Sequence, residues 1–282
     1  MSEITFDLPA YLARIGYAGP LEPDLGVLQS LVAHHSAVIP FENIDVVLGR
    51  PIELGVDALQ RKMVRGGRGG YCFEQNSLLR AALEAIGFRT VPLLARVVRG
   101  MPADAGTPRG HMILRVELAE GPYLADVGFG NLTPTAPLAL RPEMVQETLH
   151  EPFRLTPMGT ELLLEALVDG EWGNVYRLSL EPQLPIDLES ANWFTFTRPG
   201  GLFRENVVAA RPGPGVRSTL FNGRMAVRQV AGGMARRRLD DAAAYREALV
   251  DQFGLTLTDQ EVAEVAAASA RFAERSPGHV FF

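Results

Sequence analysis

The chain reads RGGRGGYCFEQNSLLRAALEAIG at residues 65–87, and this stretch decides the fold. Four glycines lead directly into a run of good helix formers, and Gly87 follows that run at a C′-like position. The pattern predicts a helix that begins at or near Cys72. The partial positive charge at a helix N-terminus favours a thiolate over a thiol, and flanking glycines would let another molecule approach the sulfur. Cys72 is therefore a candidate nucleophile.

Cys72 is the only cysteine in 282 residues. One thiol cannot form an internal disulfide, and a cysteine-rich zinc site is excluded, so we expect no metal. Two interpretations stay open for this residue: an inert buried side chain or a reactive one. The glycine-rich stretch lacks the GxxxxGK[ST] pattern and therefore does not predict a P-loop that binds phosphate.

The apolar pattern divides the chain into three regions. Residues 1–88 are predicted to be helical, with Asp7 and Asp24 as candidate N-caps. Residues 89–185 show strand patterns separated by Gly, Pro and Asp, which predict an antiparallel sheet or barrel. Residues 186–282 are mixed helix and strand. We expect an α+β fold in which the three regions pack as one body.

Several elements are predicted individually. Strands are expected at residues 91–98, 111–118, 122–127, 161–168 and 175–180. In the last region we expect a helix at 186–197, two or three short strands within 201–229, an Asn222-Gly223 hairpin turn, a helix at 245–253, and a final helix with a capping box at Thr258 and Glu261.

A reactive thiol needs a base, and the base needs an orienting group. His111 opens a predicted strand after a flexible loop, which is a suitable place for a catalytic base. Asp126 nearly ends the next strand, and antiparallel pairing would bring it close to the His111 ring. The structural alternatives are a His111 that bonds a turn carbonyl and an Asp126 that forms a turn before Gly128. The other histidines are interpreted as packed or capping residues (His34, His35) or surface residues (His150, His279).

Composition and charge exclude other classes of protein. The net charge is −6, whereas a protein that binds nucleic acid should carry a basic surplus. The N-terminal sequence shows no apolar signal-peptide core, and no window approaches 18 uninterrupted apolar residues. We therefore expect a cytoplasmic protein with no nucleic-acid or membrane partner. The arginine run at 236–238 is interpreted as a solvated edge.

Four blocks around these residues resemble the arylamine N-acetyltransferase family, and they occur in the family's order. They are IPFENID at 39–45, RGGYCFEQN at 68–76, GHM at 110–112 and ADVGFG at 125–130, and YLARIGY at 11–17 also resembles the family's opening segment. The block around Cys72 is the most specific of them. Beyond about residue 182 the resemblance is diffuse.

The resemblance implies a helical bundle, a β-barrel and an α/β lid around a papain-like catalytic core. It also implies ping-pong transfer of an acetyl group from acetyl-CoA to an arylamine or arylhydrazine. In this interpretation Cys72 is acetylated, His111 transfers protons, and Asp126 orients His111. The expected partners are coenzyme A and a small aromatic amine or hydrazine.

The resemblance also assigns binding positions. The family's substrate-pocket positions correspond to Phe41, Tyr71, Phe129 and Phe203, each of which has the ordinary alternative of a core residue. Its CoA-contact positions correspond to Thr107, Gly128 and Gly130, where backbone amides of the turn would approach the pyrophosphate. Four polar residues that also match the family are interpreted as buried, hydrogen-bonded scaffold: Glu42, Asn43, Glu74 and Asn76.

Three alternatives compete with this hypothesis. A papain-like cysteine peptidase shares the order of the catalytic residues but usually has Asn as the third member. An amide synthase of antibiotic biosynthesis, which releases an ansamycin-like polyketide onto an amine, uses the same triad. A non-catalytic binding protein would have a decayed triad, whereas Cys72, His111 and Asp126 are all present here.

Overall fold

The first third of the chain is helical, as predicted. The computed structural model describes residues 6–275, so His279 lies outside the described residues. The elements of this region are α1 (Leu8–Ile15), α2 (Leu25–Val38), the two-residue strand β1 (Phe41–Glu42), α3 (Ile44–Val47), α4 (Val56–Leu59), which continues as a π-helical turn (Gln60–Arg65), and α5 (Cys72–Ile86).

The predicted caps explain where these helices begin and end. Asp7 and Asp24 each accept a hydrogen bond from the backbone N–H three residues later, at 3.0 and 2.8 Å. Gly87 ends α5 in the left-handed conformation, with φ 109°. The helix that the glycine-rich stretch predicts is therefore present, and Cys72 is its first residue.

The central region forms an antiparallel sheet of seven strands in the order β5-β4-β3-β2-β8-β7-β6, which is barrel-like and nearly closed. Because β2 pairs with both β3 and β8, the two halves of the sheet are joined through this strand. The strands are β2 (Arg89–Val97), β3 (His111–Leu118), β4 (Gly121–Ala125), β5 (Leu138–Ala139), β6 (Phe153–Met158), β7 (Glu161–Val168) and β8 (Glu171–Leu178).

The sequence patterns predict five of these seven strands and miss β5 and β6. β5 has only two residues, and β6 contains Pro157, which argues against a strand. The structure places β6 at the edge of the sheet, where a missing N–H is tolerated. β8 begins at Glu171 rather than at residue 175, because its first residues include Gly173 and Asn174 and resemble a turn.

The last region contains the second sheet, with strands in the order β1-β9-β10-β11-β12. Its elements are α6 (Pro185–Thr197), β9 (Val208–Gly213), β10 (Val216–Phe221), β11 (Arg224–Gln229), β12 (Met234–Arg238), α7 (Ala242–Arg246), which continues as a π-helical turn (Glu247–Gln252), and α8 (Asp259–Arg275). The predicted arginine run lies on the exposed edge strand β12, which confirms the interpretation of a solvated edge.

Local signals in this region are also confirmed. Asn222 and Gly223 join β10 to β11 with φ 43° and 74°, the two positive values that a type I′ turn requires. At the start of α8, the Thr258 N–H donates to Glu261 Oε2 at 2.9 Å, and the Glu261 N–H donates to Thr258 Oγ1 at 3.2 Å. This reciprocal pair is the predicted capping box.

Of the three hydrophobic clusters in the described residues, the largest joins all three regions, whereas another lies within the central region alone. β1 pairs with β9, with Phe41 opposite Ala210, so a segment of the first region extends the sheet of the last. The largest apolar cluster combines helices α1, α2 and α5 with residues of β3 and β4 and with Leu188 of α6. The division at residues 88 and 185 stays a prediction. The start of α5, the start of β3 and the end of β4 meet at this cluster.

Candidate active site

Cys72 lies at the first position of α5 and is 3% exposed. The residue before it, Tyr71, has an extended backbone and serves as the N-cap. The Tyr71 N–H donates to Glu74 Oε2 at 3.1 Å, which satisfies one donor at the helix start. The Cys72 sulfur lies 3.7 Å from the Gly110 carbonyl oxygen, just before β3. The sulfur thus lies between a helix N-terminus and the residue that precedes β3.

The glycines before Cys72 allow close packing of the chain against itself. A Cβ at Gly69 would overlap the Pro40 carbonyl, and one at Gly70 would lie 2.8 Å from the Glu74 side chain. These positions exclude any larger residue because backbone and carboxylate already occupy the space. The glycines therefore bring neighbouring segments against the start of α5, which differs from the expectation that they open a path to the sulfur.

His111 and Asp126 form a buried pair beside Cys72. His111 Nε2 and Asp126 Oδ2 are 2.7 Å apart, and the two residues are 2% and 1% exposed. His111 begins β3 and Asp126 follows the last residue of β4, so the antiparallel pairing brings them together as predicted. The imidazole also contacts the Cys72 side chain. Since Nε2 is bonded to Asp126, Nδ1 is the ring nitrogen left for the sulfur.

The surroundings of this pair favour its charged form. Burial alone would lower the pKa of His111, but the Asp126 charge and hydrogen bond, together with the contact with Cys72, raise that pKa to about 10. Burial alone would raise the pKa of Asp126, and the His111 charge and hydrogen bonds from His111, Asn76 and Gly128 lower it instead. The arrangement thus holds an imidazolium between a carboxylate and a sulfur.

Asn76 holds the Asp126 carboxylate, a role that the sequence interpretation of a buried scaffold residue does not predict. Its Nδ2 donates to Asp126 Oδ1 at 3.0 Å and to the Met112 carbonyl at 2.8 Å. Its Oδ1 accepts the Val127 N–H at 3.0 Å. Asn76 lies four residues after Cys72 in α5 and so shares a face with it, which is the only sequence signal for this contact.

Gly128 fits a narrow space between the cysteine and this amide. A Cβ at this position would lie 2.7 Å from the Cys72 Cα and 2.8 Å from Asn76 Nδ2. The Gly128 N–H donates to Asp126 Oδ1 at 2.9 Å. Gly128 therefore completes the hydrogen bonds of the carboxylate and allows the turn to contact α5.

The residues predicted to contact CoA already have internal roles. The Gly128 N–H is used by Asp126, and the Gly130 N–H donates to Thr133 Oγ1 at 2.8 Å. The Thr107 carbonyl accepts a hydrogen bond from Arg96, while Thr107 Oγ1 is buried without a hydrogen-bond partner in residues 6–275. CoA binding at Thr107, Gly128 and Gly130 stays a prediction, and two of the expected amide donors are occupied.

Two aromatic rings enclose the imidazole. The Phe129 ring meets the His111 ring edge to face, with centroids 5.2 Å apart, and the Tyr176 ring lies 5.0 Å from it. Tyr176 is fully buried on β8, and the sequence does not single it out. The two rings also contact each other at 5.4 Å and keep water away from the His111 ring.

The other three predicted substrate positions form one aromatic cluster. The Phe203 ring lies 5.8 Å from that of Phe41 and 5.5 Å from that of Tyr71. Tyr71 is fully buried, and its hydroxyl bonds the Asn192 side chain of α6. Asn43 Nδ2 donates to the Phe203 carbonyl at 2.7 Å and fixes this segment, which confirms Asn43 as buried scaffold. The half-buried Phe203 is the accessible member.

A buried network of charges supports the start of α5 from behind. Lys62 Nζ lies 2.7 Å from both Asp45 Oδ2 and Glu74 Oε1. Arg68 is 2.9 Å from Glu42 and 3.3 Å from Asp45. Burial alone would lower the pKa of Lys62, but the surrounding carboxylates raise it above its usual value. Glu42 and Glu74 are buried scaffold residues, as predicted. The sequence analysis does not predict that Arg68 and Lys62 are their cationic partners.

The remaining described histidines lie elsewhere. His35 is fully buried between the Tyr11 hydroxyl and Gln75, and burial lowers its pKa to about 4. His34 bonds the Ile15 carbonyl. The interpretation of His150 as a surface residue is wrong, because it is half-buried and bonds Thr135 and two carbonyls of the second sheet. None of the three lies against Cys72.

The described part of the chain contains neither a cluster of metal ligands nor a membrane-spanning helix. Within residues 6–275, no three His, Cys, Asp or Glu side chains are grouped so that they could hold a metal ion. Over the same residues, no helix has both the length and the apolar character needed to cross a bilayer.

Comparison with known proteins identifies the relatives of this chain. A family model described as N-acetyltransferase matches residues 24–262. An arylamine N-acetyltransferase of Mycolicibacterium smegmatis is 42% identical over 260 residues, which cover 91% of this chain and 94% of that protein. One from Escherichia coli K12 is 36% identical over 93% of this chain and 95% of that protein.

Solved structures agree with the sequence comparison. The arylamine N-acetyltransferase of Mycobacterium marinum, solved in complex with CoA, superposes on this chain with a TM-score of 0.89. It is 38% identical, and the match covers 94% of this chain and 99% of that one. The α+β architecture predicted from the sequence is therefore confirmed.

The fold, the buried cysteine at a helix start and these relatives define an acyltransferase. Among acyltransferases, the chain belongs to the arylamine N-acetyltransferase family. The resemblance read from the sequence blocks is thereby confirmed.

Proposed function

We propose that this chain transfers the acetyl group of acetyl-CoA to an aromatic amine or hydrazine by a ping-pong mechanism through acetylated Cys72. The observation that carries the proposal is the buried His111–Asp126 pair, 2.7 Å between Nε2 and Oδ2, in contact with a cysteine at a helix start. The CoA complex of the M. marinum relative supports CoA as the carrier of the acyl group.

In the first half-reaction the Cys72 sulfur attacks the carbonyl carbon of the acetyl thioester. A new C–S bond forms, and the oxyanion of the tetrahedral intermediate is stabilised by backbone N–H groups at the start of α5. The bond to the CoA sulfur then breaks, and the departing thiolate takes the proton that His111 holds. Free CoA leaves, and the neutral His111 remains beside an acetyl-cysteine thioester.

In the second half-reaction the amine nitrogen attacks the acetyl carbon on Cys72. His111, now neutral, accepts the proton that the nitrogen loses as the C–N bond forms. The C–S bond breaks, the amide leaves, and the Cys72 sulfur regains the imidazolium as its neighbour. Asp126 stabilises that imidazolium and holds the ring in one orientation, since its Oδ2 bonds Nε2.

The aromatic residues near Cys72 suit a flat acceptor. The Phe203 ring contacts both Phe41 and Tyr71, the residue that precedes the cysteine, and the Phe129 ring contacts the imidazole. Aromatic rings stack edge to face or offset with a planar ring at low entropic cost. We propose that the acceptor ring lies against the exposed part of Phe203 while its amine points to Cys72.

The test is intact mass spectrometry after brief incubation with acetyl-CoA and no amine. The expected result is the gain of one acetyl group and the release of one equivalent of CoA. Addition of an arylamine should then restore the original mass and form the acetylated amine. The matched control is Cys72→Ser, which keeps the size of the side chain and is expected to keep the fold without rapid acetylation. An unchanged wild-type mass with no CoA release would contradict the acetyl-enzyme mechanism.

The same assay separates the amide synthase alternative. An amide synthase would remain unmodified by acetyl-CoA but would be acylated by a longer polyketide thioester. The cytoplasmic location expected from the sequence stays a prediction, which fractionation of cells expressing the untagged chain would test.

A further inference from the structure

A continuous line of buried hydrogen bonds runs from α1 through α2 to α5. The Tyr11 hydroxyl lies 2.9 Å from His35 Nδ1, and His35 Nε2 lies 2.7 Å from Gln75 Oε1. All three side chains are fully buried, and the mechanism proposed above uses none of them. Buried polar groups give up their bonds to water, so a line in which each group has a partner favours one arrangement of the core.

The bonds of Gln75 determine which nitrogen of His35 carries the proton. Gln75 Nε2 donates to the Pro40 carbonyl at 2.8 Å and to the Gly70 carbonyl at 3.1 Å, so the amide oxygen faces the imidazole. That oxygen can only accept, and His35 Nε2 therefore donates to it. Because burial lowers the pKa of His35 to about 4, the ring carries a single proton at neutral pH, and Nδ1 accepts the Tyr11 hydroxyl.

The Gln75 amide joins two segments of the proposed active site. Gly70 stands two residues before Cys72, and Pro40 precedes Phe41 of the aromatic cluster. Gly70 and Phe41 also pair with each other in an isolated parallel bridge. One buried amide thus holds the backbone that leads into the cysteine against the backbone that carries a ring of the cluster.

We propose that His35 is a positioning residue for Cys72: its ring fixes the Gln75 amide, and the amide fixes the Gly70 carbonyl two residues before the cysteine. This role rests on the proposed function, in which Cys72 is the nucleophile. A side chain that cannot donate at this position leaves Gln75 Oε1 buried and unsatisfied, which favours rotation of the amide away from the two carbonyls. The segment before Cys72 would then shift, and with it the sulfur relative to His111.

The kinetic experiment compares His35→Leu with His35→Gln. The glutamine amide nitrogen can reach the position of the histidine Nε2 and donate to Gln75, whereas leucine cannot donate. We expect His35→Leu to lower kcat and kcat/KM for acetyl-CoA by the same factor of about ten, and His35→Gln to stay within about three-fold of the wild type. The matched control is His34→Leu, since the neighbouring histidine bonds the Ile15 carbonyl, and its loss should leave kcat unchanged.

Two measurements that need no acetyl transfer separate this role from the proposed function. Alkylation of Cys72, the only cysteine, by iodoacetamide should slow about ten-fold in His35→Leu and recover in His35→Gln. Nitrogen-15 NMR of the wild type should show His35 as the Nε2–H tautomer, with no titration between about pH 6 and 9.

The outcomes distinguish the two hypotheses. If acetylation is absent but the alkylation rates follow this pattern, the proposed function fails and the positioning role stands. An Nδ1–H tautomer of His35 would overturn the proposal, because Gln75 would then have to turn its nitrogen toward the ring and away from the Gly70 carbonyl. Unchanged kcat and alkylation rates in His35→Leu, or an equal loss in His35→Gln, would also overturn it.

Discussion

The Asn76 amide donates to Asp126 Oδ1 at 3.0 Å and thereby ties the helix that begins with Cys72 to the carboxylate that holds His111. The carbonyl oxygen of the same side chain, Asn76 Oδ1, accepts the Val127 N–H at 3.0 Å. All these groups are buried, so the bonds are protected from competition by water. One side chain thus sets the distance between the nucleophile's helix and the strand end that positions its base.

Asn76→Ala should reduce turnover more than it weakens substrate binding. The substitution leaves Asp126 with one fewer donor and leaves the Val127 N–H without its acceptor, so the His111 ring loses its fixed orientation. Because Asn76 is a positioning residue, we expect kcat to fall about 10–100-fold while the KM values change little. Steady-state kinetics measure this, with Ser77→Ala as the neighbouring control on α5. A rise in KM at unchanged kcat would contradict the positioning role.

Asp126→Asn should remove the part of the protein's stability that depends on the protonation of His111. In the wild type, burial alone would lower the pKa of His111, but the Asp126 charge and hydrogen bond, with a smaller contribution from Cys72, raise it from 6.5 to about 10. The resulting stabilisation is fully present below pH 6.5 and is lost as the pH rises toward 10. The variant lacks it, so its Tm should lie roughly 5–10 °C below that of the wild type at pH 6, with a gap that narrows toward pH 10.

Thermal unfolding followed by circular dichroism between pH 6 and 10 measures this gap. Asp240→Asn, on an exposed side chain, removes the same charge without touching the pair and should leave Tm unchanged. A gap that stays constant over this pH range would mean that the His111–Asp126 interaction does not depend on the charge of His111.

The positions of the three reacting side chains follow from local patterns. A glycine-rich start predicts the first residue of α5, a strand opening predicts His111, and a strand end predicts Asp126. The support for these residues does not follow from local patterns, because it comes from distant segments. Asn76 and Asp126 are 50 residues apart, and Arg217 meets Glu151 across 66 residues. The hydrophobic periodicity of the sequence cannot predict contacts between segments so far apart. It also predicts that an arginine in a strand lies on the exposed face, whereas Arg217 is buried.

Gly128→Ala should disrupt the site by steric overlap rather than backbone strain. The added Cβ would lie 2.7 Å from the Cys72 Cα and 2.8 Å from Asn76 Nδ2, and neither atom can move without displacing α5. A displacement of about 1 Å at the nucleophile can reduce the rate about 100-fold, so we expect a kcat loss of that order. Gly173→Ala in β8 is the matched control, since a Cβ there meets no atom within 4 Å. Similar activities for the two variants would contradict the overlap.

Phe203→Ala should affect the second half-reaction and leave the first nearly unchanged. The ring lies 5.5 Å from Tyr71 and 5.8 Å from Phe41 and is the accessible member of that cluster. Its loss removes aromatic contact area for the acceptor, and we expect the KM for an arylamine to rise about ten-fold. The rate of Cys72 acetylation without amine, measured by rapid-quench mass spectrometry, should stay within about two-fold of the wild type. Phe194→Ala on the exposed face of α6 is the control.

Lys62→Met should destabilise the whole protein, because Lys62 is the shared cation of the network behind α5. Its Nζ lies 2.7 Å from Asp45 and from Glu74, and Glu74 in turn accepts the Tyr71 N–H at the helix start. Removal of the cation leaves the buried Glu74 carboxylate without a cation, whereas Asp45 keeps Arg68 at 3.3 Å; an unpaired buried carboxylate costs about 3–5 kcal/mol in the free energy of unfolding. Urea denaturation at pH 7 measures the loss. Arg61→Met, at an exposed neighbour, should cost far less.

A double-mutant cycle distinguishes lost pairing from lost packing in this network. Glu74→Gln keeps the shape of the side chain and its ability to accept the Tyr71 N–H, but it removes the charge that Lys62 compensates. If the penalty of Lys62→Met arises from the unpaired carboxylate, Glu74→Gln should restore part of the stability in the Lys62→Met background, although it destabilises the wild type. Additive losses in the double variant would instead assign the effect of Lys62 to its buried methylene chain, and the charge at the start of α5 would have no structural partner in Lys62.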